Sequence, residues 1–239
     1  MITEDDELRK TDENFKRLVT LAQPQPSWLV LVVAVSGGGV AARIAPHVHR
    51  VIVGELALHQ PETAASYANY PNVNCVTVNA ANLAFADHTF DLVICDNTAQ
   101  HVPDCFCFIQ ECARVVKSGG ALLIHDQLAP EAERAARYVN AFERLRNPDS
   151  RRILAEYEWR GMFLDAGLSV ETVEILSRPV GGLVSWAAEQ NCAPEIIEKL
   201  QVMLVQAPQA VAEFWHPRLA GTPDADCDRT YILILGKKI

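Results

Sequence analysis

The stretch LVVAVSGGGVAA, residues 31 to 42, constrains the fold more than any other part of the chain. It ends an apolar run, Leu29–Val35, in three consecutive glycines and then opens a helical pattern. A run without polar alternation suits a strand buried on both faces. Glycines between such a strand and a helix let backbone approach a ligand at the helix N-terminus, where free amides point outward. Further apolar runs at Arg50–Glu55, Cys75–Asn79, Phe90–Cys95 and Ala121–His125 also read as strands. Helical patterns separate them at Val40–Ala45, Pro61–Asn69 and Asp104–Val116. In the last of these Ile109, Cys112, Ala113 and Val116 recur at helical spacing, and KSGG (Lys117–Gly120) reads as its C-terminal stop. Such alternation implies a parallel sheet with helices on both faces.

After Pro130 the pattern changes. EAERAARYVNAFERLR (131–146) and RRILAEYEWRGMFLDAGL (151–168) read as long amphipathic helices, the second closed by Gly167. SVETVEIL (169–176) is a strand, Leu183–Phe214 is mostly helical with breaks at Pro194 and Pro208, and YILILGKK (231–238) is a final strand. The expected organisation is an N-terminal helical segment over 1–27 that folds across the ligand edge, an α/β core over 28–130, and a helical lid with two closing strands over 131–239. Those two strands would form an antiparallel edge. Tyr138, Phe142, Trp186 and Phe214 in the lid suggest a partly apolar small molecule. Tyr157 and Trp159 read as core residues.

Composition excludes several partners. A net charge of −9 argues against a phosphate backbone, whose recognition rests on basic surface. No basic run suited to anionic membranes is present, and the most apolar run, Trp28–Val35, is too short to span a bilayer. MITEDDELRK lacks a signal-peptide apolar core, which points to the cytoplasm. Seven cysteines, an odd number, suit reduced buried thiols. Cys105 and Cys107 form a C-x-C without a supporting CxxC, so no metal site is expected. His47, His49, His59 and His88 read as surface residues.

Taken in order, TDENFKRLV, SGGGVAARIAPHVHRVIVGEL, FADHTFDLVIC, QHVPD, ARVVKSGGALLIHD, LAPE and EWRGMFLDAGL resemble the class I S-adenosylmethionine-dependent methyltransferases. The specific likeness is to the type 11 group and the quinone-biosynthesis C-methyltransferases, over about Thr11 to Leu176. The resemblance implies an α/β fold: a Rossmann-like, seven-stranded, mostly parallel sheet with helices on both faces and a helical lid. It also implies a cofactor, S-adenosylmethionine, lying across the carboxyl ends of the first strands. Three acids hold it in the family. One in the first strand supports the methionine part, one ending the second strand accepts both ribose hydroxyls, and one after the third strand accepts from the adenine amino group.

Where the family reads LDVA-x-GGG, this chain reads LVVAVSGG, so Val32 stands at the first acid and Ser36 at a glycine. Asn79 stands at the third acid, and only Glu55 keeps its carboxylate. The helix after Glu55 also reads a few residues short. The cofactor contacts that the resemblance carries onto this chain are Ala34, Ser36, Gly37, Gly38, Glu55, Leu56, Asn79, Ala80 and Asp96. A hydrogen bond to a charged group contributes roughly 1.5–3 kcal/mol, and about 1.4 kcal/mol is tenfold in affinity. The altered motif is therefore expected to weaken binding by roughly two to four decades if the losses add.

Catalytic candidates sit where family substrates meet the methyl group. Asp96 and His101 follow the fourth strand, Asp126 the fifth. An acid at Asp96 suits a cationic substrate, and His101 has the right intrinsic pKa for a general base or else packs beneath the next helix. His125 and Asp126 are adjacent, so alternation sends them to opposite faces and one at most meets the site. We take Asp126, which matches a family acid, with His125 bonded within the lid. Three functions compete: methyl transfer to a small molecule, a non-methylating reaction such as cyclisation on the same fold, and a catalytically silent binding or partner subunit.

Overall fold

A computed structural model describes residues 16–34, 39–56 and 67–239. Strands run at Leu29–Ala34 (β1), Arg50–Leu56 (β2), Val73–Val78 (β3), Phe90–Asp96 (β4), Val116–Gln127 (β5), Leu168–Pro179 (β6) and Asp228–Lys238 (β7). They form one sheet in the order β3-β2-β1-β4-β5-β7-β6. The first five are parallel, and β7 runs antiparallel to both of its neighbours. Among the described strands only β7 is reversed, and it lies between β5 and β6 rather than at the edge expected of an antiparallel closing pair. The strand order turns back between β1 and β4, and in such sheets ligands usually lie outside the carboxyl ends at that point.

Period-two alternation sorts the core into two layers. Leu31, Val33, Val93, Cys95, Leu122, Ile124, Ile232 and Ile234 point to one face, where they meet α3 (Cys105–Val115) and α5 (Glu156–Asp165). Val30, Val32, Val51, Val53, Leu92, Ile94, Leu123 and Leu233 point to the other, where they meet α2 (Gly39–Ile44) and α1 (residues 16–22). Leu18 anchors α1 in that layer, and Arg17 pairs with Glu174 of β6, Nε to Oε2 at 2.7 Å. Thr20, Gln23 and Gln25 border a groove with Trp28, Asp91 and Gly119, so α1 descends toward the amino end of the sheet. The helix expected to fold across the ligand edge thus lies, over its described part 16–22, on the α2-side face toward the opposite edge, and residues 1–15 of that segment lie outside the described residues. The same holds for 61–66 of the expected Pro61–Asn69 helix, whose described end, 67–69, is a turn.

Helix α3 begins at Asp104, whose Oδ1 accepts from the Cys107 amide at 3.0 Å, and ends at Val115. KSGG is not its stop: Val116 is already extended, and the four residues bulge out within β5. Gly119 there takes φ +76°, and a Cβ on Gly120 would stand 2.8 Å from the Asp91 carbonyl.

The lid consists of α4 (Glu133–Arg146), α6 (Leu183–Ala188), α7 (Pro194–Val205) and α8 (Gln209–Trp215), drawn from two separate chain segments. Residues 151–155, expected to be helical, are not: the Ala129 amide donates to the Leu154 carbonyl, and Asn140 Oδ1 accepts from the Ile153 amide. Helix α5 belongs to the sheet rather than the lid, with Trp159 and Phe163 buried in the α3-side core, while Tyr157 is exposed. Phe142 packs on Trp215 at 4.6 Å and on Trp186 at 6.1 Å, and the Tyr138 hydroxyl donates to the Met203 carbonyl. Tyr138, Phe142 and Trp186 fill the lid's own core beside a cavity of only about 20 Å³, room for little more than one water. Phe214 is half-buried and lines an open pocket of about 320 Å³ with Leu128, Pro130 and Ile175.

Candidate active site

Alternation places Glu55, Ala34, Asp96, His125 and Tyr231 on the α2 side of the sheet at the carboxyl ends of β2, β1, β4 and β5 and beside the start of β7. Ala34 is in register with Glu55 on one side and Asp96 on the other, and Asp96 is in register with His125. Residues 35–38, which include Ser36, Gly37 and Gly38, continue from Ala34 and lie outside the described residues.

Glu55 is 3% exposed, and among the described residues its buried Oε1 has no hydrogen-bond partner. A buried carboxylate oxygen left unpaired is costly, so a ligand donor is the natural complement. Its neighbour Leu56 alternates to the opposite face and packs with Val78, Ala80 and Leu83. Asn79 is exposed and closes a short turn, its Oδ1 accepting from the Ala81 amide at 2.9 Å; an amide oxygen retains a second lone pair.

Asp96 Oδ1 accepts from His125 Nδ1 at 2.8 Å and from Asn97 Nδ2 at 3.0 Å. An ionised carboxylate only accepts, so the network assigns the His125 proton to Nδ1. That leaves Nε2 as the ring's open nitrogen, and it is buried without a partner among the described residues. The imidazole stacks on Tyr231 at 5.2 Å and 23°, and the Arg178 guanidinium lies 4.5 Å over the same Tyr231 ring. Tyr67, which the sequence pattern did not single out, is buried on this side. Burial, with Cys75, Glu55 and Asp96 nearby, raises its phenol pKa.

Two expected catalytic residues point elsewhere. Asp126 turns to the α3 side and is 1% exposed, with Oδ2 accepting from the Ala99 amide and Oδ1 from the Gln127 amide, both at 2.8 Å. It secures the 99–101 turn, and His125 takes the position at the edge that alternation denies to Asp126. Burial pushes the Asp126 carboxyl up to about 6, against the two amides and His125, which lower it. A folded pKa raised above the unfolded one contributes stability below the unfolded pKa and loses it as pH rises through about 6. Relative to an Asp126→Asn variant, the native chain should therefore lose up to about 3 kcal/mol between pH 4 and 7.5 in urea titrations. A constant difference across that range would contradict the assignment.

His101 faces the lid rather than Asp96. Burial lowers its pKa, opposed by Asp149, with whose backbone it hydrogen-bonds, and by Glu143. Two sulfurs approach within the α3-side core, Cys95 and Cys112 at 3.7 Å, and all seven cysteines are free thiols. His47, His49 and His88 are exposed, and His59 lies outside the described residues.

Residues 31–124 match the model of a methyltransferase domain. The chain is similar to YcgJ of Bacillus subtilis, an uncharacterized methyltransferase, at 28% identity over 179 residues, 74% of this chain and 71% of that protein. The solved structure of YcgJ superposes with a TM-score of 0.89, covering 95% of this chain and 98% of that one at 25% identity. A ubiquinone biosynthesis O-methyltransferase from Rhizobium johnstonii is 29% identical over 117 residues, 48% of this chain and 47% of that protein. The [4+2]-cyclase SpnF shares the fold, with a TM-score of 0.63 at 18% identity, covering 95% of this chain and 81% of the cyclase.

Proposed function

We propose that this chain, a class I S-adenosylmethionine-dependent methyltransferase by kinship, binds S-adenosylmethionine and methylates a small molecule. The buried, unpaired Oε1 of Glu55 at the end of β2 carries this reading. Its carboxylate would accept from the two ribose hydroxyls, which would satisfy an oxygen left without a partner among the described residues. The second lone pair of Asn79 Oδ1 would accept from the adenine amino group. When bound, the cofactor supplies an electrophilic methyl group on a sulfonium.

The acceptor approaches from the β5 side, beneath the lid, where α4 follows the carboxyl end of β5. His125 Nε2 takes the acceptor's proton, with Asp96 Oδ1 fixing the tautomer and steadying the imidazolium that forms. Positioning supplies most of the remaining rate. The acceptor is a small and partly apolar molecule. Among the described residues no helix is long and apolar enough to cross a membrane.

Calorimetric titration with S-adenosylmethionine tests the reading. The native chain should bind, and Glu55→Gln should weaken binding about tenfold to a hundredfold, as expected for a charged hydrogen bond lost. A native chain that binds neither S-adenosylmethionine nor S-adenosylhomocysteine would sink it. Rearrangement chemistry without the cofactor would then be favoured, consistent with the apolar Val32 in place of the first-strand acid.

A further inference from the structure

We infer that Asp96 binds the ammonium group of the cofactor's amino-acid end and so replaces, from the neighbouring strand, the first-strand acid that this chain lacks. The inference rests on the methyltransferase reading above. Val32, at the family's acidic position, is fully buried in an apolar layer with Val30, Val40 and Ala41. The next residue of β1 on that face is Ala34, the last of the strand, and it too carries no charge. The strand beside it supplies what is missing: Asp96 is in register with Ala34 and projects on the same side.

The two oxygens of Asp96 are not equivalent. Oδ1 is taken by His125 and Asn97, while Oδ2 accepts no hydrogen bond among the described residues. The carboxylate is oriented by two donors, its side chain is 11% exposed, and one oxygen is left for a cation. A partly desolvated carboxylate attracts an ammonium more strongly than one in water. The location also fits. Glu55 and Asp96 flank β1 on the same side, so they stand two strand spacings apart, roughly 10 Å. A ribose at Glu55 that continues through sulfur to an amino-acid tail would cross Ala34 and reach Asp96. Tyr67 is buried on the same side of the sheet as both carboxylates. His125 acts here as a positioning residue, holding Oδ1 so that Oδ2 stays free.

Calorimetry on the full chain with two ligands separates this from a general effect on the site. S-adenosylhomocysteine carries the amino-acid end, and 5′-methylthioadenosine lacks it. The Asp96→Asn variant, which keeps the shape and the hydrogen-bonding oxygen, should bind S-adenosylhomocysteine at least tenfold more weakly. Its affinity for 5′-methylthioadenosine should stay within twofold of native, which also reports that the variant is folded. Equal weakening for both ligands would assign Asp96 to the architecture of the edge and overturn the inference. Unchanged affinity for S-adenosylhomocysteine would overturn it as well. Native binding of 5′-methylthioadenosine without S-adenosylhomocysteine would reject the ammonium site and leave the nucleoside site standing. Native binding of neither ligand would remove the methyltransferase reading and the inference together.

Discussion

Glu143→Ala is expected to destabilise the chain by about 3–5 kcal/mol, the range for unpairing a buried charge. Glu143 and Arg146 are each 3% exposed and joined by Oε1 to Nη2 at 2.5 Å, and Arg229 Nη2 reaches the same Oε1 at 3.3 Å. Burial works against the carboxylate, yet Arg229 and Arg146 hold its pKa below the usual range. Arg146 also lies 4.0 Å over the Trp186 ring and donates to the Trp186 carbonyl, so this cluster connects α4 to α6. Removing the acid strands two buried guanidinium groups at once. Arg146→Ala should cost less, because Arg229 still pairs with Glu143. Urea unfolding of the three proteins at pH 7 tests the order, and equal losses for both variants would contradict it. Because the cluster joins lid elements, amide exchange in α4 and α6 should rise more in Glu143→Ala than exchange in β1.

Phe163→Ala should cost a similar amount, about 3–5 kcal/mol, by leaving a cavity under the closing strands. Phe163 is fully buried on α5 and lies against Gly236 of β7. A Cβ on Gly236 would come within 2.6 Å of the Phe163 ring, so Gly236→Ala alone should destabilise by about 1–3 kcal/mol through overpacking. The two substitutions are complementary in volume. In the Phe163→Ala background the methyl group of Gly236→Ala enters space the ring has left, and its cost should vanish or reverse. A double-mutant cycle by thermal or urea unfolding reads this directly. Additive losses would show that the ring and the glycine do not share that space.

Much of the scaffold was legible before any coordinates. Strand positions followed from apolar runs, because a sheet covered on both faces leaves no room for polar alternation. Glu55 stood out as the one acid kept at its position, and it lies buried at the carboxyl end of β2 with an oxygen that has no partner among the described residues. Other features failed for local reasons. KSGG resembles a helix stop, but Val116 is already paired with Phe90, and the glycines serve a bulge in β5. Residues 151–155 continue an apolar helical pattern, yet Asn140 and Ala129 claim their backbone. Of the lid aromatics, Tyr138, Phe142 and Trp186 pack into the lid core while Phe214 lines an open pocket; composition does not distinguish a residue that lines a cavity from one that fills it.

The sequence by itself determined the alternation of strands and helices, the resemblance to the methyltransferases, and the uncharged residues at Val32 and Asn79, because local periodicity and residue identity carry these. It also determined that His125 and Asp126 must part company, since successive residues of a strand face opposite ways. Only the tertiary structure decided which of them reaches the edge. Alternation has a period but no absolute phase, and the phase came from the pairing of Asp96 with His125 across β4 and β5. That register is set by the hydrophobic layers on both faces of the sheet together, and no single segment contains it.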